Sequence, residues 1–138
     1  MYICCNISNM KRIPFAIATN ALLFMTGVVT MFHLCVMLGI VPYNIVWGGR
    51  LTGRKEMLAF ELSSIIVNMV LALTVAIKAK KVRAKAPGKL VNMVLWVFVL
   101  LFALNSAGNL AAKATLETVI FTPLTILSCL LCARLAVE

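Results

Sequence analysis

The sequence predicts an all-α polytopic membrane protein, a bundle of four transmembrane helices whose two termini both lie in the cytoplasm. Composition is the first observation behind this prediction: 63% of the 138 residues are hydrophobic and only 12% are charged, whereas soluble domains average about 45–50% and about 25%. The second is that four apolar stretches reach the roughly 20 residues that a helix needs to cross a bilayer. The third is that the basic residues gather on one side of those stretches. The mean hydropathy of +1.06 also excludes a disordered chain, which needs low hydrophobicity.

The four predicted helices belong to a single membrane domain, residues 1–138. Lipid cannot hydrogen-bond exposed backbone groups, so each span is expected to be helical and to pack against the others. The first span is much longer than the about 7–15 residues of a signal-peptide core, and no small-x-small cleavage site follows it, which favours a retained membrane helix. The predicted helices cover approximately residues 14–41, 57–77, 90–111 and 116–137, with an outer loop at 42–56 and a basic loop at 78–89.

Loop charge predicts the orientation of the bundle. Of the 13 Lys and Arg residues, four lie on the side of the outer loop and nine on the side of the basic loop and the termini. The positive-inside rule then places the termini and the basic loop in the cytoplasm, and the protein in the inner (plasma) membrane. The basic loop is also a candidate site for anionic lipid or a protein partner, at about 1 kcal/mol per basic residue, although a topology signal is the simpler interpretation. The nine basic residues are Lys11, Arg12, Lys78, Lys80, Lys81, Arg83, Lys85, Lys89 and Arg134.

Each predicted helix carries one stripe of polar or small residues, spaced three, four or seven positions apart. Residues at this spacing share a helix face. Small residues allow close approach of helices, and hydroxyl and amide groups hydrogen-bond between them, so we expect the stripes to face the bundle interior. The stripes are Thr19, Thr26, Thr30, His33 and Met37; Glu61, Ser64, Asn68 and Ala72; Asn105 and Asn109, beside an Ala103, Ala107 and Ala111 row; and Thr118, Thr122, Thr125, Cys129, Ala133 and Ala136.

Glu61 and His33 most strongly indicate a functional site, because ionisable side chains inside a membrane span are energetically expensive and normally have a partner. With a rise of about 1.5 Å per residue, both lie in the outer half of the predicted bilayer. We therefore predict an outward-facing polar pocket that binds or transports a small molecule or ion. Two simpler interpretations are a His33–Glu61 hydrogen bond that only fixes helix register, and a Glu61 near the surface that pairs with Arg50 or Arg54. The predicted ligand-binding residues are Glu61, His33, Asn105, Asn109, Thr122, Arg50 and Trp47.

The outer loop supplies two of these residues. Trp47 suits the membrane interface, where Trp and Tyr concentrate. The pair Gly48 and Gly49 favours a tight hairpin, which would place Arg50 over the mouth of the bundle as a lid that recruits an anionic or polar ligand; an interfacial anchor is the simpler interpretation. Residues 48–55 also imitate a P-loop, but they lack the Lys-Ser/Thr ending and the strand–loop–helix context. No nucleotide site is predicted.

The last helix carries Cys129-x-x-Cys132, a spacing found in redox pairs and in half metal sites. A four-helix membrane bundle with this motif on its final helix resembles the vitamin K epoxide reductase family, and the resemblance implies quinone reduction. Two departures argue against that activity: the predicted topology puts both cysteines toward the cytoplasmic end, and the outer loop holds no cysteine pair to relay electrons. No metal, cofactor or catalytic residue is predicted.

Residues 121–134, together with Asn105, Asn109 and the loop at 42–54, resemble small bacterial four-helix integral membrane proteins of uncharacterised function. The resemblance spans most of the chain and implies no activity. Small multidrug transporters are also similar in having four short helices and an intramembrane Glu. Their Glu lies on the first helix, however, and their dual topology requires a weak charge bias.

Three function classes follow from the sequence. The favoured one is a protein that binds or transports a ligand in the outer polar pocket. The second is a non-catalytic accessory or regulatory subunit. The third is a membrane enzyme for a lipid-like substrate, with His33 and Glu61 as an acid–base pair. The expected partners are the lipid bilayer, a small-molecule ligand, and either a second copy of the chain or another membrane protein, but no nucleic acid.

Overall fold

The fold is described by a computed structural model that defines residues 13–42, 46–47, 51, 53–84, 86–111 and 117–138, with Glu117 defined for its backbone alone. This part of the chain is entirely helical apart from turns, and four of its helices are long and apolar enough to cross a membrane. The predicted fold class is therefore confirmed, whereas the orientation of the termini stays a prediction. The helices are α1 (Phe15–Met37), α2 (Arg54–Lys78), α3 (Gly88–Leu110) and α4 (Thr122–Ala136), and a π-helical turn, Glu117–Phe121, runs directly into α4.

Proline and glycine set the ends of α1. Pro14 precedes the helix and its carbonyl accepts a hydrogen bond from the Ala18 amide at 3.0 Å, a position where the missing proline N–H costs nothing. The helix ends at Met37, four residues before the predicted end at residue 41. The cause is Gly39, which adopts a left-handed φ of 77°, while the Ile40 amide reaches back to the Cys35 carbonyl at 2.9 Å. This is the glycine-terminated end common to α-helices.

Charged residues extend α2 beyond its apolar stretch. The helix begins at Arg54, three residues before the predicted start at 57, and Glu56 lies in its first turn. A carboxylate at a helix N-terminus interacts favourably with the helix dipole, as does a cation at the C-terminus, where Lys78 lies. Hydropathy alone misses such turns because their side chains are polar although the backbone is helical.

The chain enters α4 through the π-helical turn Glu117–Phe121. Pro123 occupies the first turn of α4 and has no backbone N–H to donate, so a regular α-helical ladder cannot continue through it from the preceding turn. The π turn accommodates this interruption by its wider hydrogen-bonding pattern. The extra residue in that turn changes which side chains of the fourth span face the bundle interior.

The two halves of the bundle are packed differently: one, which we call the dry half, is filled by apolar side chains, and the other, which we call the hollow half, contains a cavity. The main apolar core occupies the half nearer the basic loop, where Leu22, Leu71, Leu95 and Leu135 are fully buried, one from each helix. Helix α1 packs closely on α2 and α3 packs closely on α4, while α2 and α3 make the fewest contacts of the four neighbouring pairs. A small cluster of Val36, Val46 and Met57 closes the opposite end.

The polar stripes face inward only in part. Thr26 and Thr125 are buried as predicted, but most hydroxyls in the described segments bond to a carbonyl of their own helix; Thr26 Oγ1, for example, donates to the Leu22 carbonyl at 3.0 Å. A direct hydroxyl pair does join α3 to α4, Ser106 to Thr125 at 2.8 Å. The predicted inward-facing alanine row of α3 lies on the exposed surface instead, because the close α3–α4 contact uses the Ser106 face. That row is Ala103, Ala107 and Ala111.

Candidate functional site

A cavity of about 520 Å³ occupies the half of the bundle away from the basic loop. Small-molecule sites typically measure about 300–1,000 Å³, so the cavity has the size of a ligand pocket. All four helices contribute to its walls, together with Val46 and Trp47 from the loop between α1 and α2. Its polar lining includes His33, Trp47, Glu61, Asn68, Asn105 and Asn109.

Glu61 is the central polar group of this cavity. Glu61 is fully buried, and it lies within a membrane-spanning helix. Nδ1 of His33, on α1, is hydrogen-bonded to Oε2 of Glu61 at 2.5 Å, and Nε1 of Trp47 donates to Oε1 at 2.8 Å. A buried carboxylate is costly unless it is paired and hydrogen-bonded. Both Glu61 oxygens meet this requirement, and the imidazole and carboxylate can pass a proton between them.

Trp47 is held in place from both sides. Its backbone has a φ of 57°, in the left-handed region that costs a non-glycine residue about 1–2 kcal/mol. The indole N–H bond to Glu61 and a ring contact with Phe60, with centroids 5.0 Å apart, offset this strain. The loop residue is therefore positioned specifically over the cavity.

Aromatic rings form two groups in the cavity wall. The rings of Phe60 and Trp47 are tilted against each other with centroids 5.0 Å apart, and the Phe32 ring centroid lies 6.0 Å from that of His33 and 5.1 Å from that of Phe121. We call the set Phe121, Phe32, His33, Trp47 and Phe60 the aromatic arc. Every member lines the cavity that Glu61 also lines.

Asn109 presents a hydrogen-bond donor without an acceptor. Among the buried side-chain nitrogen and oxygen atoms of the described residues, its Nδ2 is the one that has no hydrogen-bond partner. Such an atom costs about 1–3 kcal/mol. The backbone carbonyl of Asn109 accepts a bond from Thr118 Oγ1 at 3.1 Å, which anchors this end of α3 to the turn before α4. Asn109 is also one of the residues that line the cavity.

Five of the predicted ligand-binding residues line this one cavity: His33, Trp47, Glu61, Asn105 and Asn109. The sixth, Thr122, is buried but lies outside the lining, whereas Phe121 and Thr125 of the same span do line the cavity. The seventh, Arg50, lies outside the described residues, as does the predicted turn at Gly48 and Gly49. The alternative of a surface-exposed Glu61 is wrong, because its carboxylate is buried between His33 and Trp47.

Sequence reasoning missed the aromatic members of the site. Phe32, Phe60 and Phe121 sit in apolar spans, where a phenylalanine carries no signal that distinguishes a cavity wall from a lipid-facing surface. Ser64 and Asn68 were assigned to the interior stripe of α2 but not to the pocket, and both line it. Their spacing of three and seven residues from Glu61 was the signal that pointed to them.

The cysteines lie away from the cavity. Cys132 is fully buried in the apolar core, and Cys129 Sγ lies 3.4 Å from the Val99 carbonyl of α3. Cys4 and Cys5 lie outside the described residues. Within the described ranges, no group of three or more His, Cys, Asp or Glu side chains is arranged to hold a metal ion.

Comparison with known proteins gives no match to a family model, a curated protein or a solved structure. The four apolar helices identify a small multi-pass membrane protein. Any more specific function has to be argued from the cavity, its polar groups and its access.

Proposed function

We propose that this protein binds a small molecule in the cavity between its four helices, either to carry it across the membrane or to sense it. The observation that carries the proposal is the location of the buried carboxylate. Glu61 is held by His33 and Trp47. The three residues come from three separate segments of the chain, and all of them border a space of ligand size.

A purely structural role for the His33–Glu61 pair accounts for less of what is observed. A hydrogen bond that only fixed helix register would be most stable in a close-packed core, since unfilled space forfeits dispersion contacts. The pair instead borders a cavity of about 520 Å³, and Asn109, whose Nδ2 is buried without a partner, lines the same cavity. A ligand site accounts for the position of the pair at a cavity wall.

The test is a ligand screen by thermal unfolding of the full chain in lipid nanodiscs. A ligand that binds only the folded protein raises its unfolding midpoint. We expect at least one compound to stabilise the wild type but not Glu61→Gln. Glu56→Gln is the matched control, since it makes the same chemical change five positions away on α2, outside the cavity lining.

The two possible results lead to opposite conclusions. A compound that stabilises the wild type and Glu56→Gln, but not Glu61→Gln, supports the binding site, and flux of that compound into sealed vesicles then separates carriage from sensing. If no compound stabilises the wild type, and Glu61→Gln unfolds at the same temperature as the wild type, the carboxylate is dispensable and the proposal fails.

A further inference from the structure

The cavity opens sideways, between α2 and α3. The side chains that α1 and α4 contribute to its wall are buried or half-buried, whereas its exposed lining residues all belong to α2, α3 or the loop residue Trp47. Because the outer surfaces of α2 and α3 are apolar and exposed, this opening faces the lipid. Its exposed rim consists of Phe60, Ser63 and Val67 on α2, Leu101 and Asn105 on α3, and Trp47.

The same two helices are closed at their other end. Lys78 Nζ donates to Asn92 Oδ1 at 2.6 Å, and Leu71 and Leu95 share the apolar core there. The separation of α2 from α3 is therefore confined to the half that contains Glu61. A molecule dissolved in the bilayer can reach the cavity through this gap without crossing the protein core.

The charge of the lining selects one class of ligand. Among the described lining residues Glu61 is the acid and His33 the titratable base, and neither Lys nor Arg is present. Aromatic faces attract cations by about 0.5–2 kcal/mol per contact, and a nearby carboxylate attracts them strongly where water is excluded. The aromatic arc together with Glu61 thus matches a positive charge and disfavours an anion.

The rest of the wall is apolar. Met25, Val29, Phe102 and Leu124 line the cavity beyond the polar groups, and they offer a hydrocarbon surface for the body of the ligand. We propose that the ligand is a lipophilic cation, an amine or quaternary ammonium with an apolar body, which enters from the bilayer between α2 and α3 and places its charge beside Glu61 within the aromatic arc. This inference rests on the proposed function and specifies its ligand.

Trp47 provides a built-in reporter for the test. The chain contains two tryptophans, and the second, Trp96, is exposed on α3 outside the cavity lining. In a Trp96→Phe background the fluorescence therefore comes from the site alone. The probes are dodecyltrimethylammonium, dodecanol and dodecyl sulfate, which share one chain length and differ in head charge, added to the full protein in phosphatidylcholine nanodiscs below their micellar concentrations.

We expect saturable binding of the ammonium probe, and an increase of at least about tenfold in its Kd, equivalent to about 1.4 kcal/mol, on Glu61→Gln but not on Glu56→Gln. Phe60→Leu removes a half-exposed ring that makes no bond to Glu61, and should weaken the same probe severalfold in a protein that still folds. This second variant keeps the test decisive if Glu61→Gln fails to fold.

The outcomes separate this inference from the proposed function. If dodecanol or dodecyl sulfate binds as tightly as the ammonium probe, the cation assignment is overturned while the binding site stands. If no probe saturates but the ligand screen yields an uncharged compound, the same conclusion applies. If neither the probes nor the screen yields a ligand, both proposals fall.

Lateral entry has its own kinetic test. The double variant Val67→Phe/Leu101→Phe narrows the opening and should slow association of the ammonium probe severalfold in stopped-flow fluorescence. Val97→Phe is the control, because Val97 is exposed on α3 but does not line the cavity. An unchanged association rate in the double variant would overturn entry between α2 and α3.

Discussion

Nδ1 of His33 on α1 lies 2.5 Å from Oε2 of Glu61 on α2, and both residues belong to membrane-spanning helices. The pair joins two helices that are already in close contact, and it does so at the wall of a cavity rather than inside the apolar core. Its carboxylate also accepts the indole N–H of Trp47. A single acidic side chain therefore connects α1, α2 and the loop between them.

The first prediction concerns the energetic coupling of this pair. Removing one partner of a buried, hydrogen-bonded ionisable pair leaves the other uncompensated and costs about 3–5 kcal/mol. His33→Leu and Glu61→Leu should each lower the free energy of unfolding by an amount in that range, and the double variant should lose clearly less than the sum. Reversible unfolding in mixed micelles measures the cycle. Strict additivity would show that the two side chains do not interact.

The second prediction concerns the unpartnered amide of Asn109. Asn109→Leu removes a buried donor that has no acceptor, so the unliganded protein should be as stable as the wild type or more stable, by up to about 1–3 kcal/mol. Ligand affinity should fall, since Asn109 lines the cavity and leucine changes the shape and polarity of that wall. Unfolding midpoints and ligand titrations measure the two effects. Asn20→Leu is the control, because Asn20 is exposed on α1 outside the lining and its replacement should leave affinity unchanged.

The third prediction separates the hollow half of the bundle from the dry half. Ser64 lines the cavity and is half-buried, so Ser64→Leu fills space and should abolish ligand binding without lowering the unfolding midpoint. Leu71 is fully buried in the core, and Leu71→Ala should cost about 2–5 kcal/mol while the affinity of the remaining folded protein is retained. If Ser64→Leu binds ligand normally, the cavity is not the binding site.

The fourth prediction concerns orientation. Nine of the 13 basic residues lie on the side of the basic loop and the termini, which places that side in the cytoplasm. In a background without the native cysteines, Lys81→Cys should react with a membrane-impermeant maleimide only after the membrane is opened, whereas Lys55→Cys should react in intact cells. The reverse labelling pattern would invert the predicted topology, and the cavity would then lie closer to the cytoplasmic surface than to the outer surface.

Some features of the site followed from residue chemistry alone. The pairing of His33 with Glu61 was predicted as one alternative, because an ionisable group in a span needs a partner. The alanine row at 103, 107 and 111 was expected inside the bundle and is exposed, because small residues suit both close helix contacts and lipid-facing surfaces. Thr122 was expected in the pocket and is buried outside its lining, whereas Thr125, three residues further along the same helix, lines the cavity.

By itself, the sequence determined that the chain forms four membrane-spanning helices and where the expensive polar groups lie along them. These properties depend on local hydropathy and on a rise per residue that every α-helix shares. Only the tertiary structure decided that α2 and α3 separate at one end, that Trp47 folds back onto Glu61, and that phenylalanines from separate segments of the chain line the same cavity as Glu61. Those outcomes depend on how side chains from distant segments pack, and no local pattern in the sequence encodes them.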